Sequence, residues 1–126
     1  MRKIELIYPE WCYKLVGILF DVHSKVGGGH REIFIQKAIE ESLKANKISY
    51  KRELICPLVY RGKSIGKNVL DFLIDDKIVL EIKKGERFNK SDIEQVFEYL
   101  KTSNLKLGIL ATFTRQKVRF RRIVNL

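Results

Sequence analysis

The sequence predicts an α/β fold in which a mixed β-sheet is flanked by α-helices. Apolar residues recur first at helical spacing, then at strand spacing, and later at helical spacing again, which gives the element order α-α-β-β-β-β-α-β-β. The chain has 126 residues, 45% of them hydrophobic, which is enough to bury one core of ordinary size. No stretch rich in proline or serine divides it, so we expect one domain over residues 1–126.

Two helices are predicted before the first strand and one after the fourth. Pro9 suits a first helical turn, and apolar residues follow at helical spacing until the glycine run at 27–29 ends the first helix. The second helix is expected over residues 30–46, with Ile35 on its buried stripe. The third is expected over residues 91–101, because Ser91-Asp92-Ile93-Glu94 matches a capping box and apolar residues follow at helical spacing.

The predicted strands are runs of β-branched and aromatic residues bounded by polar or glycine-containing turns. Six are expected: two before residue 68, one on each side of the polar turn Asp75-Asp76-Lys77, and two after the third helix. They cover residues 49–65, which a turn at Arg61-Gly62-Lys63 divides in two, then 68–74, 78–83 and 106–113, and finally the alternating tail from Lys117.

The polar turn Asp75-Asp76-Lys77 decides how two acidic residues are placed. If it is a three-residue loop, Ile74 pairs with Ile78, and Asp71 then lies directly opposite Glu81. A two-residue loop would shift the register and separate the two carboxylates. The three-residue loop is the expectation on which the predicted site depends.

The same register assigns the side chains of this hairpin to two faces. Lys83, two residues beyond Glu81, is expected on the face of Asp71 and Glu81, together with Val69, Leu73 and Val79. The opposite face carries only apolar side chains and is expected in the core. Its residues are Leu70, Phe72, Ile74, Ile78, Leu80 and Ile82.

Two facing carboxylates repel each other unless a positive charge lies between them. Carboxylate oxygens are hard ligands that suit Mg²⁺ or Mn²⁺, and such an ion can bind a phosphate oxygen and lower the pKa of a bound water. Lys83 could hold that water or neutralise charge that builds up in the transition state. The alternative is an ordinary exposed strand on which Lys83 neutralises Glu81.

At this point the chain resembles a known pattern. Leu70-Asp71, nine intervening residues, and Glu81-Ile82-Lys83 are similar to the D…ExK signature of the PD-(D/E)xK nuclease superfamily. Gly29-His30-Arg31-Glu32 resembles the motif of the GxxExxY proteins, which are small PD-(D/E)xK-like proteins. Gln95 and Tyr99, on one face of the third helix, are similar to the QxxxY motif of the RecB-type exonuclease branch.

The resemblance implies a restriction-endonuclease-like fold and specific roles. Asp71, Glu81, Glu32 and the carbonyl of Ile82 would hold the metal. Lys83 would be catalytic together with Asp71 and Glu81, and the pair Gln95 and Tyr99 would support Lys83 or bind a phosphate. Two departures are visible: Leu70 stands where the superfamily usually has proline, and Ile35 replaces the tyrosine of the GxxExxY motif, so Ile35 is expected in the core.

The charge of the chain points to a polyanionic partner. Lysine and arginine number 25 against 15 acidic residues, which gives a net charge of +10. Nucleic acid is therefore the expected partner, DNA before RNA, although each charge taken alone can also be an ordinary solvated side chain. The side chains expected to contact phosphates are Arg31, Lys84, Arg87, Lys90, Lys117, Arg119 and Arg121.

Location follows from what the sequence lacks. No apolar stretch approaches the roughly 20 residues needed to cross a bilayer. The start, Met1-Arg2-Lys3-Ile4-Glu5, has no apolar run of the signal-peptide kind. We expect a cytoplasmic protein without a membrane partner.

These observations predict a Mg²⁺- or Mn²⁺-dependent nuclease that hydrolyses phosphodiester bonds in DNA, with branched and single-stranded DNA both open as substrates. A catalytically inactive nucleic-acid-binding module of the same fold is the alternative, and a protein-interaction subunit is a third hypothesis. Dimeric Holliday-junction resolvases of the superfamily have a comparable size, which implies a homodimer.

Overall fold

A computed structural model describes residues 7–126. The predicted lack of an apolar leader at Met1–Glu5 concerns residues outside this range. Within it the helices are α1 (Pro9–Val26), α2 (Glu32–Ala45) and α3 (Lys90–Ser103), and the strands are β1 (Tyr50–Tyr60), β2 (Lys63–Ile74), β3 (Ile78–Lys84), β4 (Leu107–Phe113) and β5 (Val118–Val124).

The five strands form one sheet in the order β1-β2-β3-β4-β5. Neighbouring strands are antiparallel except β3 and β4, which are parallel and therefore need the crossover that α3 provides. β4 is buried along its whole length because helices cover both faces of the sheet at that point. The predicted α/β class, a mixed sheet flanked by helices, is confirmed. Within residues 7–126, none of the helices is both long and apolar enough to span a membrane.

The two faces of the sheet are covered by different helices. One face packs against α1 and α2, where Ile35 is completely buried, as expected. The other packs against α3, through Val96 and Leu100. The contact between α3 and β4 is close at Gly108, because a Cβ atom added there would lie 2.5 Å from a methyl carbon of Val96. Both clusters therefore fix β3 and β4 firmly at the centre of the fold.

The prediction of six strands is wrong. Gly66 and Lys67, which lie between the second and third predicted strands, pair with Leu58 and Pro57, so that residues 63–74 form one long strand. The pairing continues because β1 supplies hydrogen-bond partners along the whole stretch. The turn between β1 and β2 is a tight one formed by Arg61 and Gly62, both with positive φ, as two-residue hairpin turns require.

Two helix starts also differ from the prediction. α2 begins at Glu32 rather than at residue 30. α3 begins at Lys90, with Asn89 at the N-cap position and no side-chain cap hydrogen bond, so the capping box expected at Ser91 does not form. Ser91 lies inside the first turn of α3, two residues after the N-cap position, so it cannot cap the helix.

The three-residue loop after Ile74 is confirmed. Ile74 pairs with Ile78, and the ladder between β2 and β3 continues to the pair Phe72 and Leu80, where it stops. Beyond that point, within residues 7–126, β2 pairs only with β1, whereas β3 continues beside β4 through Glu81 to Lys84. The sheet therefore divides at Asp71 and Glu81, and we call this division the fork.

At the fork, the regular alternation of side chains between the two faces of the sheet is interrupted in β1 and β2. Glu53 has a left-handed backbone (φ 58), and the register between the two strands skips Glu53 and Asp71. As a result Leu70 packs on the α3 side and Phe72 on the α1–α2 side. The prediction that Leu70 shares a face with Phe72 is wrong, because it assumed an uninterrupted two-residue alternation.

Candidate active site at the fork

Asp71 and Glu81 are brought face to face, as predicted, and each binds the backbone of the opposite strand. The Asp71 amide donates a hydrogen bond to Oε1 of Glu81 at 3.0 Å. The Ile82 amide donates one to Oδ2 of Asp71 at 2.7 Å. The two carboxylates thus replace the carbonyl acceptors that a continuing ladder would have supplied, which satisfies the amides exposed where the strands separate.

The pKa values of both carboxyl groups are raised. Glu81 is only 2% exposed, and burial together with the adjacent Asp71 raises the pKa of Glu81 to about 9. Burial also raises the pKa of Asp71, although its hydrogen bonds with Glu81 and the Ile82 amide oppose that rise. The adjacent acidic group and the burial therefore favour the protonated form of Glu81 near neutral pH.

Lys83 lies beside this pair. Its Nζ is 3.9 Å from Oε2 of Glu81 and 3.8 Å from Oδ1 of Asp92. About a third of the Lys83 side chain is exposed (32%), so the ammonium group faces both the carboxylates and solvent. Asp92, in the first turn of α3, is a site residue that the sequence reasoning missed, because it was assigned only to a capping box. The arrangement places a cation where a phosphate group could approach the fork.

Glu32 reaches the end of β3 from α2. Its Oε1 accepts a hydrogen bond from the Lys84 amide at 2.9 Å, and its position in the first turn of α2 is favourable for a carboxylate. Burial is the largest cause of the raised pKa of Asp71, and the negative charge of Glu32 also raises it. In the described part of the chain, however, no three His, Cys, Asp or Glu side chains are grouped so that they could hold a metal ion. Glu32 is thus near the fork without forming a three-carboxylate cluster with Asp71 and Glu81.

A polar network positions Asp71 from the side of α2. Gln36 donates from Nε2 to Oδ1 of Asp71 at 3.0 Å, and Arg52 donates to Oε1 of Gln36 at 2.9 Å. Arg52 also forms an ion pair with Glu40 at 3.2 Å, and Tyr50 donates to Glu40 at 2.7 Å. The hydrogen bond from Tyr50 lowers the pKa of Glu40, so this carboxylate stays charged beside Arg52.

The sequence reasoning missed this network too. A signal for Gln36 exists, because it follows Glu32 by four residues and so lies on the same helical face. Arg52 carries no such signal, since its partners on α2 are more than ten residues away in sequence.

The comparisons with known proteins agree with this geometry. A model of the PD-(D/E)XK nuclease superfamily matches residues 9–123. The chain belongs to this superfamily. The predicted membership of the PD-(D/E)xK nuclease superfamily is thereby confirmed. Nucleases of this type generally use divalent metal ions. The resemblance to the GxxExxY proteins stays a prediction.

Two solved structures share the fold of this PD-(D/E)XK protein. The crystal structure of SSO0001 matches with a TM-score of 0.57 and 23% identity over 75% of this chain and 50% of that chain, so this chain spans half the length of that protein. An alkaline exonuclease, LHK-Exo from Laribacter hongkongensis, matches with a TM-score of 0.53 and 11% identity over 98% of this chain and 73% of that chain. These likenesses confirm the restriction-endonuclease-like α/β fold. None of the curated proteins compared matches the chain.

Gln95 and Tyr99 lie together on α3, as the QxxxY resemblance implies. They line a cavity of about 310 Å³ between α3 and the β1–β2 hairpin, together with Cys56 and Asn68. Lys83 meets α3 at Asp92, which precedes Gln95 by three residues and Tyr99 by seven. The structure therefore places the pair at this cavity, and its support of Lys83 stays a prediction.

The seven basic side chains expected to contact phosphates are all exposed. Lys84 and Arg31 directly follow and precede the site residues Lys83 and Glu32. Arg119 of β5 lies level with Lys83 of β3, because each pairs with Thr112 of the strand between them. Arg119 also donates to the Glu86 carbonyl at 3.2 Å. Arg87, Lys90, Lys117 and Arg121 complete the set, and Lys90 forms a 3.8 Å ion pair with Glu94.

Raising the pH is expected to destabilise the protein when divalent cations are absent. The pKa of Glu81 in the folded state is about 9, above its ordinary value of 4.5, so unfolding releases a proton between these values. The stabilisation is complete below the unfolded pKa and is lost as pH rises through the folded pKa. We expect the free energy of unfolding, measured with urea and EDTA, to fall from about pH 5 to about pH 9.

The variant Glu81→Gln is expected to flatten this pH dependence, because it removes the proton that the folded state retains. The matched control Glu86→Gln, at an exposed position, is expected to keep the wild-type slope. A slope in Glu81→Gln equal to that of the wild type would contradict the raised pKa of Glu81.

Proposed function

We propose that this PD-(D/E)XK protein is a Mg²⁺- or Mn²⁺-dependent nuclease that hydrolyses phosphodiester bonds in DNA at the fork. One observation carries the proposal: the buried carboxyl group of Glu81 faces the partly buried carboxyl group of Asp71, with the Lys83 ammonium group 3.9 Å from Glu81. Two negative charges in such a place are costly unless a proton or another cation compensates them. The donor set, two hard carboxylates in contact, fits a divalent cation.

Each residue of the fork has a proposed role. Asp71, Glu81, the Ile82 carbonyl and Glu32 would hold the cation, which supplies charge for the phosphate oxygens and lowers the pKa of a bound water. Lys83 orients the attacking water or neutralises a phosphate oxygen through its partly exposed ammonium group. Gln36 keeps the carboxylate of Asp71 in position by its hydrogen bond to Oδ1.

Residues around the fork would bind the substrate. The net charge of +10 attracts a polyanion, and the exposed cations next to Lys83 and Glu32 favour phosphates at this end of the sheet. Gln95 and Tyr99 would support Lys83 or bind a phosphate from α3. DNA is proposed before RNA, and the branched or single-stranded form of the substrate is part of the hypothesis.

A nucleic-acid-binding module without turnover is the second candidate. It is favoured by one observation: within residues 7–126 the three carboxylates are not grouped as a metal site. This candidate predicts salt-sensitive binding that depends neither on divalent ions nor on Asp71.

Cleavage assays test the proposed activity. The protein is incubated with branched, nicked, linear and single-stranded nucleic acid in the presence of Mg²⁺ or Mn²⁺. Because Asp71 would hold the cation and Lys83 would act on the reacting groups, we expect Asp71→Asn and Lys83→Ala each to lose about 100-fold or more in rate. The matched control Lys106→Ala, which removes an exposed lysine at the opposite end of the sheet, is expected to cleave at the wild-type rate.

Cleavage at the same rate by wild type, Asp71→Asn and Lys83→Ala would contradict the assignment of the site. No cleavage by any of them, with binding that persists in EDTA, would support the binding module instead.

A homodimer is part of the proposal, because one domain of this size covers little of a branched substrate. Multi-angle light scattering at micromolar concentration is expected to give twice the mass of one chain. The mass of a single chain would count against the dimer and would leave the proposed chemistry untouched.

A further inference from the structure

The β1–β2 hairpin extends beyond the fork as a two-stranded ribbon. Among the residues that the structure describes, 55–69 pair only with each other, since β2 contacts β3 no further than Phe72. Every residue of this segment is exposed except Cys56 and Asn68, which are partly buried. We call residues 55–69 the arm. Neither the superfamily signature nor the carboxylate pair requires such an extension, so it needs its own explanation.

The base of the arm is fixed to the core. Leu54 and Leu70 pair with each other across the two strands and are buried against Val96 and Leu100 of α3. Asp71 follows Leu70 directly, so the arm and the carboxylate pair share one anchor. The direction of the arm relative to the fork is therefore set by packing rather than by a flexible connection.

The charge of the arm has one sign. It carries Arg61, Lys63 and Lys67 and contains no acidic residue. In the part of the chain that the structure describes, none of these three cations forms an ion pair. Exposed apolar side chains lie between them near the tip, with Val59 64% exposed and Ile65 68% exposed. Unpaired cations next to apolar side chains suit the phosphates and sugars of nucleic acid.

The shape of the arm suits duplex DNA. The major groove of B-form DNA is about 12 Å wide and admits a two-stranded β-ribbon, whereas the major groove of duplex RNA is too narrow and deep. Lys63 and Asp71 are eight residue-to-residue steps apart along β2, which corresponds to about 25 Å of extended strand. That distance equals about seven base-pair steps at 3.4 Å each. A second copy of this strongly basic chain would meet repulsion at the same surface.

We propose that the arm enters the major groove of duplex DNA about seven base pairs from the phosphate held at the fork. The inference rests on the proposed nuclease function for the position of that phosphate. It specifies the substrate as one with a DNA duplex on at least one side of the cleaved bond. Arg61, Lys63 and Lys67 contact phosphates along the groove.

Binding in EDTA tests the arm separately from catalysis. The arm variant combines Arg61→Gln, Lys63→Gln and Lys67→Gln. The matched control combines Lys44→Gln, Lys47→Gln and Lys106→Gln, three exposed lysines at the opposite end of the sheet. Fluorescence anisotropy measures the affinity of each protein for hairpin-closed DNA duplexes of about 6 and about 20 base pairs and for the longer duplex made of RNA.

We expect the arm variant to bind the longer DNA duplex about 10-fold more weakly or worse, with the salt slope of log K reduced by about 2 to 3. The control is expected to change affinity by less than about 2-fold, since it removes the same charge away from the groove. The short duplex and the RNA duplex are expected to bind the arm variant and the wild type equally. Lys63→Gln alone is expected to reduce the salt slope by about 1.

Three results would overturn the proposal. The first is an equal loss of DNA affinity in the arm variant and the control. The second is an unchanged affinity of the arm variant for the longer DNA duplex. The third is a loss of affinity for the RNA duplex as large as that for the DNA duplex. A change in oligomeric mass on Val59→Ser and Ile65→Ser, without a change in DNA affinity, would identify the arm as a contact between copies instead. DNA binding that depends on the arm, without cleavage by any of the proteins, would contradict the proposed nuclease function and support the proposed role of the arm.

Discussion

The exchange of hydrogen bonds between Asp71, Glu81 and the opposite backbones is the constraint on which the rest of the structure depends. A sheet that divides leaves amides without acceptors, and here two carboxylates satisfy them at 3.0 and 2.7 Å. The same contact brings two acids together in a place where Glu81 is 2% exposed. The fold thus creates an electrostatic cost that a proton relieves near neutral pH and that a divalent cation can relieve instead.

The division of the sheet also separates two structural parts. On one side, β3 and β4 are held between α3 and the pair α1 and α2, which makes the support of Glu81 and Lys83 rigid. On the other side, β1 and β2 continue as the arm, exposed and basic. Asp71 belongs to the second part and Glu81 to the first, so the carboxylate pair joins the surface proposed to grip DNA to the centre proposed to cleave it.

The sequence predicted this centre better than its surroundings. Two-residue alternation and a three-residue turn are local properties, and they were sufficient to place Asp71 opposite Glu81. The interruption at Glu53 was not predictable, because a left-handed backbone at a residue other than glycine or asparagine leaves no mark in the sequence, and Leu70 was therefore assigned to the wrong face. The contact of Arg52 with Gln36 depends on how α2 packs on β1, which no local pattern records. The continuity of β2 was not predicted, because its pairing with β1 overrides the weak strand preference of Gly66.

A crystal structure obtained with Mn²⁺ above neutral pH tests the central claim most directly, since the anomalous signal locates the ion without reference to activity. The account predicts a peak at the fork, about 2.1 Å from an oxygen of Asp71 and from an oxygen of Glu81. Asp71 and Glu81 still in mutual contact at saturating Mn²⁺, with no peak between them, would contradict it.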